Sequence, residues 1–193
     1  MVTMKELHFE NIEFIKTDFT KEKFSKGEYE NCIFLDCNFS DLNLSNFAFI
    51  ECEFKNCNFS NTKINNTALK DVNFISCKLL GVNFNDCDNF LLSIYFEDSH
   101  LNLASFYKLV LKGIEFRNCN LQEVDFTETD LTNSTFENCD LNRTIFANTI
   151  LEKTDFTTSY NYSIDPETNK IKKAKFSQIG VLGLLDKYNI IVE

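Results

Sequence analysis

A large side chain recurs every fifth residue for almost the whole length of this chain. Phe9, Phe14, Phe19, Phe24, Tyr29, Phe34 and Phe39 open a phase that runs to Phe84, and after a step of seven Leu91, Phe96, Leu101 and Phe106 open a second that runs to Phe156. A period of five fits neither the 3.6 of a helix nor the 2.0 of a flat strand. A fixed repeat over this length belongs to stacked, quasi-one-dimensional architecture. The expectation is a rod with an apolar spine, whose function resides on its outer surface.

The slots around each large residue i follow a pattern. Positions i and i-2 are apolar or small, whereas i-1, i+1 and i+2 are mostly polar. Two inward slots followed by three outward ones describe a short extended segment and a corner. The i-1 slot often holds Asp or Asn, as in Asp18, Asn38, Asn58, Asp125 and Asp155, residue types that bond to local backbone and tolerate unusual dihedrals. All eight cysteines (Cys32, Cys37, Cys52, Cys57, Cys77, Cys87, Cys119 and Cys139) fall at i-2, where Val72, Ala104 and Thr144 also occur. That slot reads as a tight inward pocket, and a reduced thiol suits it as a small hydrophobe. No zinc-type cysteine spacing is present, and His8 and His100 show no carboxylate partner in sequence. No metal, cofactor or disulfide is expected.

Cys37, Cys57 and Cys77 stand 20 apart, as do Cys119 and Cys139, so four five-residue units complete one coil. The step of seven between Phe84 and Leu91 then reads as one unit plus a two-residue outward bulge near 85–90, around Asp88 to Phe90. With the bulge excluded, Phe14, Phe34, Phe54, Phe74, Phe96, Phe116, Phe136 and Phe156 form one column, and Leu91, Leu111, Leu131 and Leu151 its neighbour. At strand spacing the rod is about 36 Å long.

The pattern lapses over 157–169 and returns at Ile171 and Phe176. From Ser177 an apolar run follows: Ile179, Val181, Leu182, Leu184 and Leu185. It reads as a short capping helix with Ser177 as N-cap, followed by a short strand over 189–193. The division is thus 1–156 as the rod and 157–193 as a last partial coil, cap and dimerisation segment. The cap is expected to meet a second copy of itself in a two-fold homodimer through those five residues.

The net charge of -10 argues against direct nucleic-acid binding, which needs clustered Lys and Arg. No apolar stretch is long enough for a membrane span, and 1–9 carries no signal-peptide run, so a cytoplasmic location is expected. Acidic residues concentrate on two walls. One carries Glu97, Asp98, Glu115, Glu137 and Asp155 with Arg117; the other carries Glu10, Glu28, Glu30, Glu51 and Asp71 with Lys70. A duplex of the rod's length carries about 21 charges, roughly twice the rod's net charge. No GxGxxG, Walker loop, GxSxG or HExxH occurs, and a convex rod offers no pocket, so no enzyme is expected.

The units CNF at 37–39 and 57–59, CDL at 139–141 and TDF at 154–156 resemble the pentapeptide-repeat consensus A(D/N)LXX. That resemblance implies an all-β, right-handed quadrilateral parallel β-helix, a pentapeptide-repeat solenoid. The tail segments Ser159 to Tyr162, Ile164 to Pro166, Lys172 to Ser177 and Gly180 to Leu185, with Ala104 to Tyr107, are similar to Qnr-type quinolone-resistance proteins. The absence of a large loop looks closer to the MfpA type. These resemblances imply a dimeric DNA mimic that binds the type II topoisomerases, DNA gyrase and topoisomerase IV, and protects or inhibits them. The partner-binding candidates are Glu97, Asp98, Glu115, Glu137, Asp155, Glu28, Glu30 and Glu51. The alternative is a scaffolding repeat protein, for which Ile33, Leu35, Ile50, Ile75 and Leu80 in outward slots offer an apolar patch.

Overall fold

The computed structural model describes residues 7–192. Residues 1–6, part of the stretch read as lacking a signal peptide, and Glu193 of the expected last strand lie outside them. The chain winds as an all-β parallel solenoid of about seven coils. One wall is a seven-stranded sheet formed by Glu13–Ile15, Ile33–Leu35, Glu53–Lys55, Val72–Ile75, Ile94–Glu97, Glu115–Arg117 and Thr135–Glu137. A second wall is a four-stranded sheet of Leu7–Glu10, Gly27–Glu30, Ala48–Ile50 and Ala68–Lys70. The other two walls are joined by single parallel bridges. One ladder runs Asp18, Asn38, Asn58, Lys78, His100, Asn120, Asp140, Tyr160; the other includes Asn83, Ser105, Asp125 and Ile145. Every pairing joins residues one coil apart, so each coil has four sides, as the 20-residue spacing requires.

The expected Phe column is present and one ring longer. From Phe14 to Phe176 each ring stacks on the next, with centroids 4.7–5.5 Å apart. Strand spacing of about 4.8 Å sets this distance, and offset stacking suits it. Rings of adjoining walls meet edge to face, as Phe116 and Phe126 do at 5.8 Å. The i-2 slot is closed: all eight cysteines are free and buried. The thiols of Cys32, Cys37, Cys52, Cys57, Cys77, Cys119 and Cys139 donate to backbone carbonyls, and Thr does the same in equivalent slots; Cys57 Sγ bonds Phe34 O at 3.3 Å and Thr62 Oγ1 bonds Phe39 O at 2.7 Å. Burial, the main cause, pushes the Cys52 and Cys87 thiols up to about 12, so neither forms a reactive thiolate at neutral pH.

The corner divides its work between two slots. The Asp or Asn at i-1 accepts the N–H of i+1, as Asp125 Oδ1 does from Thr127 at 2.8 Å and Asn58 Oδ1 from Ser60 at 3.1 Å. The left-handed conformation instead falls at i+2, as at Asn31, Asp36, Asn118 and Asn138. Local bonding and backbone tolerance, expected together at i-1, are therefore split between positions.

The bulge begins at Asp88, as expected, and extends past Phe90. Ala68 pairs with Asp88, 20 residues on, whereas Val72 pairs with Ile94, 22 on, so the two extra residues enter between Asp88 and Ile94. Asp88 Oδ1 accepts the Phe90 N–H at 3.0 Å and starts an outward turn. Leu91, expected as an inward rung, sits at the tip with φ 58° and is 66% exposed. Leu92 packs against the core instead. The Asp88 turn uses up the extra length and hands the inward direction to the following residue.

At the C-terminal end the lapse over 157–169 is not empty of core, since Tyr162 and Ile164 are buried there. The expected capping helix is two short 3₁₀ turns, Gly180–Leu184 and Asp186–Tyr188. The cap position is Ile179 rather than the expected Ser177, but Ser177 Oγ still accepts the Gly180 N–H at 2.9 Å. The segment presses so closely on Tyr162 that a Cβ at Gly180 or Gly183 would fall about 2 Å from Tyr162 atoms. Glycine at both positions allows this approach and disfavours a regular α-helix. Residues 190–192, expected as a strand, form none. Asn189 at φ 49° turns the chain, and no strand pairs with them among the described residues.

Candidate functional site

Parallel in-register pairing makes vertical rows of outward side chains, so a surface on this rod is a set of rows. In the seven-stranded sheet Glu97, Arg117 and Glu137 pair directly. Arg117 Nε lies 3.0 Å from Glu137 and its Nη1 3.9 Å from Glu97. The Glu137 charge, more than any other neighbour, raises the Arg117 pKa. Two of the predicted partner-binding acids are thus held by a shared guanidinium. The row two residues earlier contains Tyr95, Glu115, Thr135, Asp155 and Lys175. Asp155 pairs with Lys175 at 3.0 Å, whereas no cation lies within 4 Å of Glu115 among the described residues. Asp98, at the adjoining corner, accepts the Asn118 side-chain amide at 3.0 Å. The structure therefore brings Glu97, Asp98, Glu115, Glu137 and Asp155 onto one wall, with Arg117 and Lys175 among them.

Glu28 and Glu30 lie on the other sheet, and Glu51 at the corner one coil above. Here the isolation read for both histidines fails for His8. Register places His8 opposite Glu28 and Glu10 opposite Glu30. His8 Nδ1 is 3.2 Å from Glu28, and Nε2 is 3.6 Å from Glu30 and 3.8 Å from Glu10. These four residues are outward neighbours only across a 20-residue coil, and the coil length was the available signal. Among the described residues, His8, Glu28 and Glu30 are the one grouping whose ligand atoms converge, all within 4.8 Å.

The apolar candidates separate. Ile33, Leu35 and Ile75 lie on the seven-stranded wall with Ile15, which is 53% exposed and directly opposite Leu35. Ile50 belongs to the other sheet and Leu80 to a third side. Of the dimerisation candidates, Ile179, Val181 and Leu182 are exposed, Leu184 packs on the core end, and Leu185 is half-buried. Among the concave features are shallow grooves of about 310 Å³, one along the Asp98, His100 and Asn118 corner and one beside Tyr162. Among the described residues no helix is long and apolar enough to cross a membrane.

The family model for the pentapeptide repeat region matches residues 23–106, 47–126 and 90–160. No curated protein sequence matches the chain. Among solved structures it is similar to QnrB1, a plasmid-mediated fluoroquinolone resistance protein, at 21% identity, covering 97% of this chain and 98% of that one, with a TM-score of 0.46. It is similar to HetL, a pentapeptide repeat protein involved in heterocyst differentiation regulation from the cyanobacterium Nostoc, at 13% identity, with 88% and 87% covered and a TM-score of 0.34. A pentapeptide repeat protein from the Arabidopsis thaliana thylakoid lumen matches at 19% identity, with 66% and 63% covered and a TM-score of 0.24.

Proposed function

The chain belongs to the pentapeptide-repeat family, and from that premise we propose that it is a non-enzymatic binding rod that occupies the DNA-binding saddle of a type II topoisomerase, DNA gyrase or topoisomerase IV. The observation that carries this reading is the alignment of Glu97, Asp98, Glu115, Glu137 and Asp155 along one wall of a narrow column. Rows one coil apart repeat negative charge at strand spacing, on a support too stiff to fold away from a basic groove. The Phe column beneath supplies that stiffness. Arg117 holds Glu97 and Glu137 upright, so the row presents ordered carboxylates at a reduced net charge. A two-fold dimer through Ile179, Val181, Leu182, Leu184 and Leu185, the first three of them exposed, would double the length of the acidic column.

The test is a gyrase supercoiling assay with and without quinolone, using the native chain and a variant carrying Glu97→Gln, Asp98→Asn, Glu115→Gln and Glu137→Gln. The native chain should inhibit supercoiling or relieve the drug, with an effect that weakens as salt rises, because exposed charges are screened beyond about 8–10 Å. The variant should keep the native circular dichroism and lose the effect. An unchanged effect in the folded variant overturns the mimicry.

A scaffolding role with another protein partner is the second reading. It is favoured by the apolar group of Ile15, Ile33 and Leu35 on the first half of the same wall, with Ile75 beyond the Lys55–Glu53 pair. No response of gyrase at tens of micromolar protein would turn the assignment to that group.

A further inference from the structure

The four-residue cluster at the first coil carries chemistry that the acidic column does not use. His8 and Glu10 on one strand face Glu28 and Glu30 on the next, in a two-by-two outward array. Glu10 and Glu30 are directly opposite, a placement that destabilises a sheet when both are charged and nothing lies between them. Nothing basic from the neighbouring strand relieves it. The outward residues of the next strand are Ala48 and Ile50, and Lys70 is two strands away from Glu30. Asn11 donates to Glu10 at 3.0 Å, which supplies a hydrogen bond but no charge. Among the described residues, the group within 4 Å of all three carboxylates is the His8 imidazole.

We propose that His8, Glu28 and Glu30, flanked by Glu10, bind one divalent transition-metal ion of the zinc class. One imidazole with carboxylates is a donor set suited to zinc, and magnesium or calcium would use oxygen ligands alone. The three ligand atoms lie within 4.8 Å of one another. Ligands about 2.0–2.2 Å from a tetrahedral ion stand roughly 3.3 Å apart, so small side-chain rotations close the set. The backbone need not move, because the ladder already sets the spacing. The ion would tie the strand Leu7–Glu10 to Gly27–Glu30 at the outermost coil, where one edge of the solenoid has no further strand among the described residues.

The experiment is calorimetric titration of the metal-stripped full chain with Zn²⁺, with Mg²⁺ as control and Co²⁺ for its visible spectrum. The expected result is one Zn²⁺ per chain, a Co²⁺ spectrum that reports nitrogen ligation, and little heat with Mg²⁺. His8→Ala should weaken Zn²⁺ by about tenfold or more, while His100→Ala leaves it unchanged. If His8→Ala disturbs folding, the native chain still decides the matter by NMR, since Zn²⁺ must shift the His8 ring resonances and leave those of His100 in place. Absence of binding, equal binding of Mg²⁺, or affinity indifferent to His8 would overturn the site.

Discussion

At the scale of the residue, each position is set by the conflict between a tight corner and a packed interior. The i-2 slot mostly holds Cys, Thr, Ser, Val or Ala, although Phe47, Leu109 and Ile114 are buried in it as well. Where a donor is present it bonds a carbonyl of the preceding wall one coil below, as Thr149 Oγ1 does to Phe126 O at 2.9 Å. The i+2 slot demands a positive φ, and the chain meets that demand unevenly. Gly113 at φ 74° suits it, while Leu103 at φ 61° is a bulky exposed residue in a conformation that costs about 1–2 kcal/mol. Leu103→Gly should therefore raise stability, and Gly113→Ala, which meets no neighbouring atom within 4 Å, should lower it by up to about 1 kcal/mol. Denaturant melts of both variants would check the opposite signs. This pair was not legible from composition, because polar residues dominate i-1, i+1 and i+2 alike and nothing local says which one carries the left-handed turn.

At the scale of the element, the unit is the coil, and its stability comes from stacking on the coils above and below. Phe116, fully buried between Phe96 and Phe136, should cost about 3–5 kcal/mol when changed to Ala, measured by thermal or denaturant unfolding. Equal stability in that variant would mean the column is not the spine. The tail is held differently, by a clasp in which Lys187 Nζ reaches Asp165 and Glu167, each at 2.7 Å. The Lys187 ammonium, as the leading cause, lowers both carboxyl pKa values. A depressed carboxyl contributes stability above its unfolded value of about 4, and that contribution is lost as pH falls through the folded value. The clasp should be intact at neutral pH and open in acid. NMR titration should show both carboxyls moving to higher midpoints in Lys187→Ala; unchanged midpoints would reject the clasp. The coil length and the return of the pattern at Phe176 were readable from spacing. The 3₁₀ form of the tail was not, because it follows from contact between Tyr162 and the two glycines.

At the scale of the whole molecule, the column turns a one-dimensional repeat into surfaces that run its length. The acidic wall, the apolar group and the exposed C-terminal residues occupy different stretches of that length. If Ile179, Val181 and Leu182 form the proposed two-fold contact, Ile179→Lys should convert a dimer into a monomer in sedimentation experiments and leave the circular dichroism unchanged. A native chain that sediments as a monomer at high concentration would end the dimer proposal. The acids proposed for the partner were legible in sequence as a surplus. Their ion pairs needed the structure, because the 20-residue spacing puts Arg117 beside Glu137 but does not say which side chains meet.

The sequence by itself determined the five-residue rung, the four-sided coil, the inward cysteines and the continuous Phe column, because each follows from a spacing repeated too often to serve any other fold. Tertiary structure alone decided which residue tops the bulge and how the tail lies on Tyr162. Those outcomes depend on what one coil places beside the next, where a single contact, unlike a repeat, leaves no period to read.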